Sequence, residues 1–141
     1  MLALEGLGPA GIDLSKATRL KEVEVWIRNL DDVPTAMVLK TLTSNHLNLQ
    51  KVSLFVCIPS PFYKTVNAGQ SIEAETRRHW IELDRVLIQL WESNAIQICV
   101  QVEYPRVGRK EVVRKLMRGL LPWTMKSEAV ELVDYYGGHR I

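Results

Sequence analysis

Residues 79–104, HWIELDRVLIQLWESNAIQICVQVEY, carry two periodicities back to back. Trp80, Leu83, Leu87, Leu90 and Trp91 step by three or four, the apolar stripe of an amphipathic helix, and Glu82, Asp84, Arg85 and Gln89 are expected largely outside it. From Ile96 the pattern becomes strict alternation, with Ile96, Ile98, Val100 and Val102 on one face and Gln97, Cys99, Gln101 and Glu103 on the other. Ser93, Asn94 and Ala95 are all that separates the two. A helix can enter a strand after so short a turn when it returns the chain to the start of a neighbouring parallel strand, so the stretch demands an α/β architecture.

The rest of the chain follows the same rhythm. LKEVEVWI (20–27) reads as a strand with Leu20, Val23 and Val25 inward and Lys21, Glu22 and Glu24 solvated. Asp31 and Asp32 before Val33 and Pro34 open a helix through TAMVLKTLTSN, with Met37, Val38 and Leu42 available to a core. LQKVSLFVC (49–57) is a second strand, and IPSPFYKTVNAGQS, with two prolines and a glycine, reads as a long connection. A helix of roughly 72–92 begins behind Ser71. RKEVVRKLMRGLL (109–121) gives a further helix with Val113, Leu116, Met117 and Leu120 inward, AVELVDYY (129–136) a last strand, and 137–141 a frayed tail. The order β-α-β-α-β-α-β predicts an α/β fold whose parallel sheet has about four strands joined by right-handed crossovers.

At 141 residues and 47% hydrophobic, the chain has material for one domain, 1–141, with a core of its own. No apolar run approaches the roughly 20 residues that cross a bilayer, and the opening MLALEGLGPAG lacks a basic n-region, so an intracellular protein, cytoplasmic or nuclear, is expected. Cys57 and Cys99 sit inside strand patterns without CxxC spacing, and His46, His79 and His139 are scattered. Neither a metal nor a cofactor is predicted. The sequence also lacks a GxSxG elbow, a phosphate loop after a strand and HExxH, so catalysis is not expected.

A repeat refines the sheet. Leu20-Lys-Glu-Val23-Glu-Val25 and Leu49-Gln-Lys-Val52-Ser-Leu54 share the pattern LxxVx(V/L), 29 residues apart, and the second continues to Cys57. That is the strand signature of a leucine-rich repeat, whose helices line a convex face and whose x positions project from a concave one. The concave face would carry Lys21, Glu22, Glu24 and Trp26, then Gln50, Lys51, Ser53 and Phe55, then Gln97, Cys99, Gln101 and Glu103. Glu22, Glu24, Trp26, Lys51, Ser53, Phe55, Gln97 and Gln101 are therefore the candidate partner-binding residues, with the aromatics as anchors. The competing expectation is that the segment 58–71 packs over Trp26 and Phe55.

The phrases IDLSKATRLKEVEV (12–25), LQKVSLFV (49–56), RRHWIELDRVLIQLWESNAIQICVQVEY (77–104) and LMRGLLPWTMKSEAVELV (116–133) resemble the C-terminal region of F-box and leucine-rich-repeat-like proteins of mushroom-forming fungi. The run W-x-x-L-D-R-x-L-x-x-L-W into an extended strand carries most of the likeness. In that family an F-box docks on a Skp-type adaptor of a ubiquitin ligase while the repeats select a substrate. No F-box-like helical segment precedes residue 12 here, so the resemblance implies the recognition half of the role alone, toward an unknown protein partner. A first repeat needs a cap, and residues 1–19, with Leu2, Leu4, Leu7, Ile12 and Leu14, are the candidate; failing that, the chain would self-associate at this strand edge.

One charge asymmetry remains. Arg106–Arg118 holds six basic residues and one acid, a local +5 that leaves −3 for the rest of a chain at +2. Lys110, Arg114 and Arg118 form one helical stripe, and with Arg109 they are the candidate residues for binding a polyanion. Without interleaved aromatics or a recognised motif, nucleic acid is not the expected partner, and a solvated convex helix face is the first explanation of the charge.

Overall fold

A computed structural model describes residues 2–5, 13–42, 46–106, 108–127, 130–135 and 138–141, with backbone alone at 2–5, 32–35 and 37. Five strands, β1 (Leu2–Glu5), β2 (Glu22–Ile27), β3 (Lys51–Cys57), β4 (Gln97–Glu103) and β5 (Val130–Asp134), form one sheet in chain order. Every neighbouring pair is parallel. The connections carry a 3₁₀ helix (Leu30–Thr41), α1 (Ser60–Asn67), α2 (Ala74–Asn94), α3 (Lys110–Leu120) and α4 (Pro122–Lys126). Strands in sequential order with right-handed crossovers collect their helices on one side of the sheet. The fold is α/β, as the alternating periodicities require.

Burial follows that geometry. Val23, Val25 and Ile27, then Val52, Leu54 and Val56, then Ile98, Val100 and Val102 are at most 1% exposed and face the helices. Val113, Leu116, Met117 and Leu120 of α3 are buried as predicted. Trp80 of α2 is fully buried, and its indole N–H donates to the Leu30 carbonyl at 2.9 Å, tying α2 to the 3₁₀ helix. The tight turn from α2 into β4 is made by Ala95, in the left-handed region at φ 51°, whose N–H bonds the Trp91 carbonyl at 2.9 Å.

Several expectations are corrected. The parallel sheet gains an edge strand beyond the expected four, because Leu2–Glu5 of the expected cap is itself a strand, with Leu2 opposite Val23 and Glu5 opposite Trp26. Within that cap, Leu7 and Ile12 lie outside the described residues, as do the side chains of Leu2 and Leu4. Leu14 is buried, its amide bonded to Thr41 Oγ1 at 2.8 Å and its carbonyl to His46 Nε2 at 2.9 Å.

The helix expected from Pro34 is a 3₁₀ helix starting at Leu30, where Asn29 accepts a bond from the Asp31 N–H. Its twelve residues rise about 24 Å against about 18 Å for an α-helix, enough to return the chain along the length of β2. The Met37 side chain, assigned to the core, lies outside the described residues.

The connection expected at 58–71 contains α1, because Pro59 stands at its N-cap and Pro61 in its first turn, where a missing N–H costs nothing. Tyr63 of α1 is buried, and its hydroxyl accepts the Arg109 N–H at 2.7 Å. Asp84, expected outside, is 1% exposed. Its two carboxylate oxygens accept the backbone N–H groups of Trp123 and Thr124 at 3.1 and 2.8 Å, capping α4 from across the core.

Over its described part, residues 138–141, the tail is hydrogen-bonded to β5. The Asp134 N–H donates to the His139 carbonyl at 2.7 Å, the Ile141 N–H to the Leu132 carbonyl at 3.0 Å, and Val133 and Arg140 form an antiparallel bridge. Gly138, at φ 64°, permits the reversal. The outer edge of β5 is thereby covered. Among the described residues, no helix is long and apolar enough to cross a membrane.

Candidate functional site

Alternation directs the other side chain of each pair away from the helices, and parallel register lines these up across the sheet. Glu22, Lys51 and Gln97 form one row, Glu24, Ser53, Cys99 and Glu131 the next, and Trp26, Phe55, Gln101 and Val133 the third. All eight candidate partner-binding residues therefore share the open face. Their accessibility differs: Gln97 is exposed, Glu22, Glu24, Trp26, Lys51, Phe55 and Gln101 are partly exposed, and Ser53 is buried. Ser53, with the buried Cys99 beside it, forms floor rather than contact surface.

The third row carries the aromatic centre. Trp26 and Phe55 stack with ring centroids 4.3 Å apart and planes within 9°. Tyr135 meets Trp26 edge-on at 6.3 Å and 75°. Since β2 and β5 are three strand spacings apart, about 14 Å in a flat sheet, the two rings lean toward each other across β3 and β4. Tyr135, not the segment 58–71, supplies this contact; that segment is α1, which packs against α3.

A fourth row lies at the C-terminal ends of the strands, where open parallel sheets present their crevices. Cys57 is opposite Glu103, and one step of register brings Arg28 and Tyr135 into line with them. Together with Trp26, Phe55 and Gln101 they line a cavity of about 360 Å³. Tyr135, Arg28 and Cys57 are the members that sequence reasoning missed. Alternation reaches Cys57 at the end of β3 and Arg28 one step past β2, whereas the approach of Tyr135 to Trp26 has no local signal.

Electrostatics define what this arrangement can do. Burial raises the Cys57 thiol above its ordinary value; Glu103 adds to the rise and Arg28 opposes it. The Cys99 thiol is raised as well, again by burial first, with Glu131 adding and Lys51 opposing. Both are held as thiols at neutral pH. The site thus offers aromatic faces, a carboxylate, a guanidinium and an amide rather than an activated sulfur. Among the described residues, no group of three or more His, Cys, Asp or Glu is placed to hold a metal ion.

The alternative basic residues lie elsewhere, on α3 and its N-terminal flank. Arg109, Lys110 and Arg118 are exposed and Arg114 is partly so, and among the described residues none has a carboxylate at ion-pair distance. No protein-family model matches the chain, and neither a curated protein nor a solved structure does.

Proposed function

We propose that this chain is a non-catalytic protein-binding module that takes its partner on the open sheet face, as the likeness to the substrate-recognition region of fungal F-box-type proteins implies. The stacked, partly exposed Trp26–Phe55 pair carries this reading. Large aromatics set between the polar rows of Glu22, Glu24, Lys51 and Gln97 on one side and Arg28 and Glu103 on the other have the anatomy of an interface: an apolar anchor that loses water beside a polar rim. The sequential parallel order and the repeat spacing support a leucine-rich-repeat-like architecture for it. On this reading the module works inside the cell and needs neither metal nor cofactor.

The test is photo-crosslinking from position 101, on the open face, and from position 118, on α3, followed by affinity measurement with the captured protein in pure form. Trp26→Ala with Phe55→Ala is expected to weaken that partner at least tenfold, with Arg114→Glu and Arg118→Glu near neutral. Equal affinity for the aromatic variant would remove the proposal. The exposed bases of α3 favour a second reading, polyanion binding. Salt-dependent retention on heparin, abolished by Arg114→Glu with Arg118→Glu, is the outcome that would put it first.

A further inference from the structure

The helix layer holds a second cavity, of about 450 Å³, where the end of α1 and the loop after it meet α3. Its size is that of pockets which enclose small ligands. Val66, Ile72, Val112, Leu116 and Leu120 supply apolar lining. The first three are only partly buried, so hydrophobic surface continuous with the core is left facing water. Among the described residues, two cations also line the cavity, Arg77 of α2 and Lys115 of α3, and no carboxylate does. Among the described residues, neither cation has an ion-pair partner.

Gly119 is the informative member of this lining. It lies inside α3, where glycine is less favourable than alanine, and its φ is not in the left-handed region. An added Cβ would meet no atom within 4 Å. Neither backbone conformation nor crowding at the Cβ calls for glycine here, and the residue lines the cavity.

We propose that this cavity binds a small amphipathic anion, a ligand with an apolar chain and a single carboxylate head. Its chain covers Val66, Ile72 and Val112 and passes over Gly119, removing that surface from water. Its head meets Arg77 and Lys115, which select the sign of the charge and complete bonds that the chain itself does not offer them. The site shares no residue with the open face, so it stands independently of the protein-binding reading.

Calorimetric titration of the full chain with octanoate tests it. Saturable one-to-one binding is expected, with octanol and octyltrimethylammonium at least tenfold weaker. Gly119→Leu, whose Cβ meets no neighbouring atom within 4 Å in the unliganded fold, is expected to lose at least tenfold in affinity while retaining its circular dichroism and cooperative melting. Arg77→Gln with Lys115→Gln is expected to erase the preference for octanoate over octanol, and Trp26→Ala to leave binding unchanged. Absence of saturation, equal binding of the three probes, full affinity in folded Gly119→Leu, or loss on Trp26→Ala would each overturn the proposal.

Discussion

Asp84 holds a carboxylate in the interior, 1% exposed, and uses both oxygens on the first N–H groups of a five-residue helix. Removing it leaves those donors without a partner in a dry environment. Asp84→Ala is therefore expected to cost about 2–4 kcal/mol, and Asp84→Asn, which keeps one oxygen acceptor, about half as much, measured by urea denaturation. Position 84 does fall on the stripe of Trp80 and Leu87, so periodicity pointed inward while residue type pointed outward. What decides the matter is a helix end 40 residues away, which no local pattern reveals. Ala95 is the opposite case, an ordinary residue in a conformation that disfavours a Cβ. Ala95→Gly is expected to raise stability by about 0.5–1 kcal/mol in the same assay, the relief of left-handed strain exceeding the added freedom of the unfolded chain.

Among the elements, β2, β3, β4, α2 and α3 were legible because each keeps one period over six or more residues with a clear contrast between faces. α1 was hidden by its prolines, which break a helix in its interior and open one at its start; Phe62, Tyr63 and Val66 at helical spacing were the signal that separates the two. The tail was missed for another reason. GGHRI has no apolar pattern, and its described residues, 138–141, are held by backbone bonds to β5, with Ile141 packed against the core and Arg140 3.8 Å from Glu131. A chain ending at Tyr135 is accordingly expected to show at least tenfold faster hydrogen exchange at the Asp134 amide, which loses the His139 carbonyl, and greater exposure of Val133, now 5%. Unchanged protection at Asp134 would show that the tail adds nothing to the edge.

Over the whole molecule, the centre of the candidate site could be read from alternation plus register: Trp26, Phe55 and Gln101 follow once the strands are parallel. Tyr135 could not, because its approach to Trp26 depends on two side chains leaning across the sheet. Burial also sets a global pH response. Cys57, Cys99 and Tyr104 are all raised above their ordinary values chiefly by desolvation, with the Asp134 hydrogen bond next for Tyr104. The unfolded chain therefore ionises first as pH rises. The stability these groups contribute is complete below about pH 8.5 and is lost as pH climbs through their folded values. Urea midpoints are expected to be flat from roughly pH 7 to 8 and to fall above roughly pH 9, with a shallower fall in Cys57→Ser with Cys99→Ser. The order of the strands has a mechanical consequence as well. Because each is laid beside its predecessor and none is threaded between two earlier ones, tension applied at the C-terminal end peels the tail and β5 away before β4 is loaded. Optical-tweezer traces are expected to show a series of small rips advancing inward from that edge, in place of one abrupt rupture.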